Sequence, residues 1–313
     1  MQPIFYDTII IGGIIIGITL SLLFCFLKKS FFSIIFLIGA IVLVWGSFIE
    51  PRIITTKHVT VKLGKQTPQL KIAVLGDLHA GPYKKTAFFE RVVEKTIQLN
   101  PDIVVLVGDY TYNGLPENKR EVEYLSPLKK LTEKYKVYAV PGNHEYGLSD
   151  YLPEHSSQTR FADVSEVTRE AFESYGITYL QNQTLSLEIN GQQIYLFGGD
   201  EVWSGNLDYS SIEDTDPTIP KIALLHNPAY LYHEHPTGID LTIAGHTHGG
   251  QIRLPFIGPL GKADDTIPKK LYTGLHEPER KGEYLFVTQG LGESEARARL
   301  LCPPEIVLLE IGT

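Results

Sequence analysis

Cysteine is nearly missing from this chain: two in 313 residues, Cys25 inside an apolar run and Cys302 close to the C-terminus. That excludes a disulfide framework and any cysteine-based zinc site, so a metal here has to be held by His, Asp, Glu and Asn. A basic excess is missing too. The net charge is −8, with 28 Lys and Arg against 36 Asp and Glu. Nucleic acid is therefore not expected as a partner, because domains that bind it carry a basic footprint. The start, Met1-Gln2-Pro3-Ile4-Phe5-Tyr6-Asp7, also lacks the basic opening of a secretory signal peptide.

Charge is absent as well from residues 8–27 and, after Lys28-Lys29-Ser30, from residues 31–49. Each run has about the 20 residues that a helix needs to cross a bilayer. Two such runs in succession do not fit one cleaved leader. Residues 1–52 are therefore expected to be a transmembrane helical hairpin; the alternative is a buried hairpin in a soluble protein. Arg52, Lys57, Lys62 and Lys65 follow the second run, against Lys28 and Lys29 between the runs. By the positive-inside rule this count puts the large domain on the cytoplasmic side. Residues 53–69 read as a connector with an edge strand at 59–63.

The remaining length suits one large domain of ordinary globular composition, 43% hydrophobic and 20% charged. From residue 70 strands and helices alternate, which predicts layered α/β architecture. Helices are expected at 84–99, 119–135 and 163–175. Strands are expected at 70–75, 103–107, 137–140, 178–180, 184–189, 193–197, 221–225, 239–244, 284–288 and 305–309. Asn190-Gly191 is a hairpin turn signal. The polar stretch 149–160 reads as a loop able to shape a substrate cleft.

What the chain does have is ten histidines, several of them placed with Asp and Asn directly after buried strands. Five apolar runs end in Asp77 and His79, in Asp109, in Asn143 and His144, in His226, and in His246 and His248. In α/β sheets the crevice beyond the carboxyl ends of the strands is where ligands bind. Strand alternation would put Asp77 with His79, and His246 with His248, on one side. Each block alone is weak, since an Asp-x-His or His-x-His pair is more often incidental. All five in order make a strong signal. Oxygen and imidazole ligands without thiolate suit two divalent ions, manganese first, then iron or zinc. A carboxylate such as Asp109 can bridge them, and paired metals stabilise attacking and leaving oxygens in phosphoryl displacement. His233-Glu234-His235, His58, His155 and His276 follow no buried strand and are set aside.

The blocks Asp77-Leu78-His79, Gly108-Asp109-Tyr110, Gly142-Asn143-His144-Glu145, His226-Asn227-Pro228 and Gly245-His246-Thr247-His248-Gly249-Gly250-Gln251 together resemble the calcineurin-like metallophosphoesterase family. The similarity runs from about residue 71 to the C-terminus. It implies a four-layer α/β/β/α sandwich over residues 70–313. One metal would take Asp77, His79, Asp109 and His248; the other would take Asp109, Asn143, His226 and His246. His144 would face the phosphate or protonate the leaving oxygen, with a hydroxide shared by the ions as nucleophile. Gly76 stands where the family often has Ser, and Glu145 where it often has Asp. The segment Gly290-Leu291-Gly292-Glu293-Ser294 through Arg297 and Arg299 resembles the family's last glycine-rich loop, where an arginine could hold a phosphate. With the apolar hairpin, the resemblance implies a hydrolase at a lipid surface. Some members of the superfamily hydrolyse UDP-2,3-diacylglucosamine in lipid A synthesis. The alternatives are a general phosphodiesterase or phosphatase of the cell envelope and a non-catalytic metal-binding scaffold.

Overall fold

A computed structural model describes residues 3–65, 67–112, 119–148, 162–261, 266–278, 280–294 and 296–312. The polar stretch 149–160, with His155, lies outside them. The chain opens with two antiparallel apolar helices, α1 (Pro3–Phe26) and α2 (Ser30–Val44). The spans Asp7–Phe26 and Ser30–Arg52 have mean hydropathies of 2.7 and 2.5 and bury little of their surface. Both are long and apolar enough to cross a membrane. Their contact is made by small residues: a Cβ on Gly17 would lie 3.2 Å from the Ala40 Cβ. The Ser21 and Ser33 hydroxyls each donate to the other residue's carbonyl at 2.9 Å. Small residues and hydroxyl pairs are how helices join where no hydrophobic force acts between them.

Next come β1 (Thr55–Lys62), β2 (Leu70–Leu75), α3 (Thr86–Gln98), β3 (Ile103–Val107), α4 (Lys119–Glu123), α5 (Lys129–Thr132), β4 (Lys136–Val140), α6 (Ser165–Ser174) and β5 (Thr178–Tyr179). The single helix expected at 119–135 is broken: Pro127 sits in a 3₁₀ turn, Ser126–Leu128, between α4 and α5. A proline has no N–H for the helical ladder, and its ring clashes with the preceding turn. The second half holds β6 (Gln183–Ile189), β7 (Gln192–Gly198), α7 (Ser210–Glu213), β8 (Lys221–Leu224), β9 (Leu241–Ala244), β10 (Arg253–Leu254), β11 (Gly258–Pro259), β12 (Gly274–His276), β13 (Tyr284–Val287) and β14 (Glu305–Gly312).

Two six-stranded sheets result, ordered β1-β14-β2-β3-β4-β5 and β12-β13-β9-β8-β7-β6. Strand β1, from the expected connector, is the edge strand of the first sheet and pairs in parallel with β14. In β2 alternate residues face opposite ways, as a strand requires. Ala73 and Leu75 pack with Phe89 and Val92 of α3 and Phe172 of α6. Ile72 and Val74 join Ile194, Leu196, Ile222 and Phe286 between the sheets. Beyond the second sheet, Phe197, Ala223 and Val287 are covered by Trp203, Ile212 and Tyr272. These three cores separate four layers, α/β/β/α.

The hairpin does not end freely. Helix α2 passes through a π-helical turn, Trp45–Ile49, and a 3₁₀ turn, Glu50–Arg52. The Glu50 carboxylate accepts from Trp45 Nε1 at 2.8 Å and from the amide of Cys302 at 2.7 Å. The Arg299 amide donates to Gly46 O at 2.8 Å. Lys84, 1% exposed, donates to Pro51 O and pairs with Glu293 at 3.1 Å. Burial pulls this amine down to about 8, against the attraction of Glu293.

Candidate metal centre

Strands β2, β3 and β4 run parallel and adjacent in one sheet, and β8 and β9 do so in the other. Asp77, Asp109, His226 and His246 each lie two residues beyond the end of their strand, and Asn143 three. The carboxyl edges of the two sheets meet where His226 Nδ1 donates to Val107 O at 2.8 Å. That bond fixes the imidazole and turns Nε2 toward Asp109 Oδ2 (3.3 Å) and Asn143 Oδ1 (3.1 Å).

The pairs Asp77/His79 and His246/His248 are not brought to one side by strand alternation. Asp77, His79, Asp109, His246 and His248 all have positive φ, between 43° and 69°. These are left-handed conformations, uncommon outside glycine, and such strain gathers at functional sites. Sharp turns fold each side chain back over the sheet edge. They are locked by bonds between neighbouring strand ends, such as Asp77 N to Gly108 O at 3.1 Å and His79 N to Asp109 O at 3.0 Å.

Two groups of ligand atoms form, each within 4.8 Å: Asp77, His79, Asp109 and His248, and Asp109, His226 and His246. Asp109 belongs to both. Asn143 completes the second group: its Oδ1 lies 3.0 Å from His246 Nδ1, and its amide donates to Leu148 O at 2.8 Å, which orients the carbonyl. All seven residues are buried. Among the described residues, Asp77 Oδ2 and His79 Nδ1 have no hydrogen-bond partner, and His79 Nε2 and His248 Nε2 stand 3.0 Å apart. Such crowding of lone pairs and anions in a dry site fits two divalent cations.

The electrostatics agree. Burial, with Asp109 nearby, pushes Asp77 up to about 7. Burial would lower His226, yet Asp109 outweighs it and raises the imidazole to about 10; the proton held between them is what a cation would displace. Burial opposes ionisation of Asp109, but His226 and His144 bring it well below the usual carboxylate range. His79, His246 and His248 are depressed, first by burial and then by cationic neighbours, His246 to about 3. Neutral imidazoles offer the lone pairs that metal binding needs.

The sequence profile of the calcineurin-like phosphoesterases matches residues 70–250. The chain belongs to that family. Phosphodiesterase YaeI of Escherichia coli K12 is 28% identical to this phosphoesterase over 243 residues, 77% of the chain and 82% of that protein. UDP-2,3-diacylglucosamine pyrophosphatase LpxG of Chlamydia trachomatis is 27% identical over 317 residues, covering 85% and 92%. YkuE of Bacillus subtilis, an uncharacterized metallophosphoesterase, is 28% identical over 276 residues, covering 85% and 88%.

Other side chains of the phosphoesterase take clear places around the cluster. His144 donates its backbone N–H to Asp109 Oδ1 at 2.9 Å. Its ring, half-buried, bonds Tyr112 O through Nδ1 at 3.0 Å and meets the His79 ring edge-on at 4.5 Å. Glu145, whose role the sequence leaves open, is fully buried and accepts from four amides: Asp109 and Gly142 on one oxygen, Tyr110 and Thr111 on the other. It clasps the Asp109 loop to the Asn143 loop. Gly142 allows that approach, because a Cβ there would strike Asp109 N and Oδ1. Gly76 replaces the family's serine for a steric reason: its Cβ would come within 2.8 Å of both Thr288 and Val107.

The two arginines do not reach into the site with open donors. Arg297 pairs with Asp7 at 3.2 Å and lies over Phe48 and Tyr83. Arg299, 0% exposed, donates to the carbonyls of Gly292, Gln289 and Cys302, with Nη2 3.5 Å from His248 Nδ1. It is a strut behind His248. His233 and His235 sit on an exposed loop, His58 on edge strand β1, and His276 bonds Thr273 O; none joins the cluster. Trp203, missed by any strand-end pattern, packs edge-on against His246 at 4.8 Å.

Proposed function

We propose that this phosphoesterase is a membrane-anchored two-metal hydrolase that cleaves a phosphodiester or pyrophosphate bond in a lipid-linked substrate, of the UDP-2,3-diacylglucosamine class. The observation that carries it is the placing of a buried His/Asp/Asn cluster on loops tied by Glu50 and Arg299 to the end of an apolar helical hairpin. Residues 1–52 would be the two-pass anchor, 53–69 the connector and 70–313 the catalytic domain, in the cell (inner) membrane and facing the cytoplasm. The relative LpxG, named for that pyrophosphatase activity, is similar along most of both chains.

Asp77, His79, Asp109 and His248 would hold one ion, and Asp109, Asn143, His226 and His246 the other. Bound there, divalent ions supply Lewis-acid stabilisation of phosphoryl oxygens and a water of lowered pKa. The chain's own residues do the rest. His226 and Asn143 are oriented in advance by Val107 O and Leu148 O. His144, with Nδ1 committed to Tyr112 O, would use Nε2 to face the phosphate and hand a proton to the leaving oxygen.

Full-length protein should hydrolyse bis-p-nitrophenyl phosphate when Mn²⁺ is added. His144→Ala is expected to lower kcat by about 10²–10⁴-fold, the usual worth of a general acid, while still binding its ions. Asn143→Ala should lose metal as well as rate. Wild-type protein with no metal-dependent turnover of that diester or of UDP-2,3-diacylglucosamine would sink the reading. Equal turnover of soluble diesters and lipid-linked pyrophosphate would favour a general phosphodiesterase of the cell envelope; YaeI is named a phosphodiesterase.

A further inference from the structure

The short hairpin β10–β11 has an apolar tip left exposed among the described residues. Phe256 is 109% exposed, Ile257 69% and Leu260 48%. Phe256 follows Pro255 and has a φ of 66°. A turn position with positive φ after proline normally goes to Gly or Asn, and a bulky residue there is an outlier.

Two lysines stand at the base of this finger. Lys269 donates to Pro259 O at 2.8 Å and Leu260 O at 3.0 Å, and Lys270 beside it is exposed. The root is tied to the helical hairpin. Arg253 N donates to Leu300 O and Leu300 N to Gln251 O, both at 2.9 Å. Residues 299–302 in turn are bonded to Gly46 and Glu50 at the end of α2. Leu301, within that segment, is 56% exposed, and Trp45 and Ile49 on the helix end are 42% and 43% exposed. The root of the apolar finger and the apolar helix end are thus joined by backbone bonds through residues 299–302.

We propose that residues 254–260 are a second membrane contact, in which Phe256, Ile257 and Leu260 enter the acyl region of the bilayer crossed by α1 and α2. Lys269 and Lys270 then lie at the level of anionic headgroups. This rests on the reading of the hairpin as a membrane anchor. Apolar residues backed by lysines are the chemistry of interfacial insertion. Three large apolar side chains exposed at one hairpin tip mark an interaction surface, and the tie of that hairpin through residues 299–302 to the end of α2 selects lipid over a protein partner. The consequence is positional. The ligand His248 lies eight residues before Phe256 on the same segment, so the finger sets the height of the metal cluster above the leaflet.

The test uses full-length protein in phosphatidylethanolamine–phosphatidylglycerol vesicles carrying spin-labelled lipid. A fluorophore is attached at Phe256→Cys or at Leu22→Cys on α1, each in a Cys25→Ala background. Quenching at both positions is the expected result. Quenching at 22 with 256 fully in water overturns the finger and leaves the anchor standing. Quenching at neither overturns the anchor reading and the finger with it. Shielding at 256 that rises with protein density, without quenching by lipid, means that a second copy covers the tip and overturns the proposal. Phe256→Asp with Ile257→Asp should leave bis-p-nitrophenyl phosphate turnover within about twofold while slowing vesicle-embedded UDP-2,3-diacylglucosamine by about tenfold or more. Equal turnover of both by that variant counts against the finger.

Discussion

Asp109→Asn should reduce kcat/KM by about 10³-fold or more and lower the bound metal from two ions toward one per chain. Among the described residues, no other side chain belongs to both ligand groups. Its Oδ2 lies 3.5 Å from His79 Nε2 and 3.3 Å from His226 Nε2, and its Oδ1 is pinned by the His144 amide. The amide variant keeps the shape and removes the charge that two cations would share. Several kcal/mol of transition-state stabilisation depend on such ions, and each 1.4 kcal/mol is about tenfold in rate. Steady-state kinetics together with metal analysis of the purified variant give the answer. Full metal content with near wild-type turnover would mean that the ions do not share this carboxylate.

Glu145 carries the second large effect, and it discriminates between two mutants. Burial, with Asp109 nearby, pushes this carboxyl up to about 8, but each of its oxygens receives two backbone N–H groups, and that donor set favours the ionised form. Glu145→Ala leaves four amides without that acceptor and should cost about 3–5 kcal/mol, a fall in Tm of roughly 10 °C. Glu145→Gln is nearly isosteric, but its NH₂ would oppose two of the four donors. It is therefore expected to behave much like the alanine variant in stability. Both should weaken metal affinity by about 10–100-fold, the usual cost of losing a group that orients the ligands. Thermal unfolding with and without Mn²⁺ separates the two effects. A Gln variant as stable and as metal-avid as wild type would show that the clasp does not depend on charge.

The architecture was legible because it is written in local patterns. Apolar runs of four to six residues separated by helical periodicity give the order of the layers, and the residues of the cluster follow those runs at short spacing. The way they converge was not legible. Left-handed residues at Asp77, His79, Asp109, His246 and His248 replace the extended geometry that alternation assumes, and only contacts between strand ends stabilise them. The work of Glu145 was hidden for the same kind of reason: three of its four donors come from 109–111, more than thirty residues away in sequence. Arg297 and Arg299 suited phosphate by charge, yet the fold uses both internally. Pro127 was visible in the sequence and should have broken the helix expected at 119–135.

The docking of α2 has a practical side. Removing the first 52 residues to obtain a soluble fragment looks harmless on hydropathy alone. Such a cut would take away Pro51 O from a buried lysine, Glu50 from the Cys302 amide and Gly46 O from the Arg299 amide. The remaining domain would then be produced with its arginine strut unbraced and Lys84 left with Glu293 for its main partner. Fragments for crystallography or screening should begin no later than Trp45, and a poorly active shorter fragment would report a damaged boundary rather than an inactive enzyme.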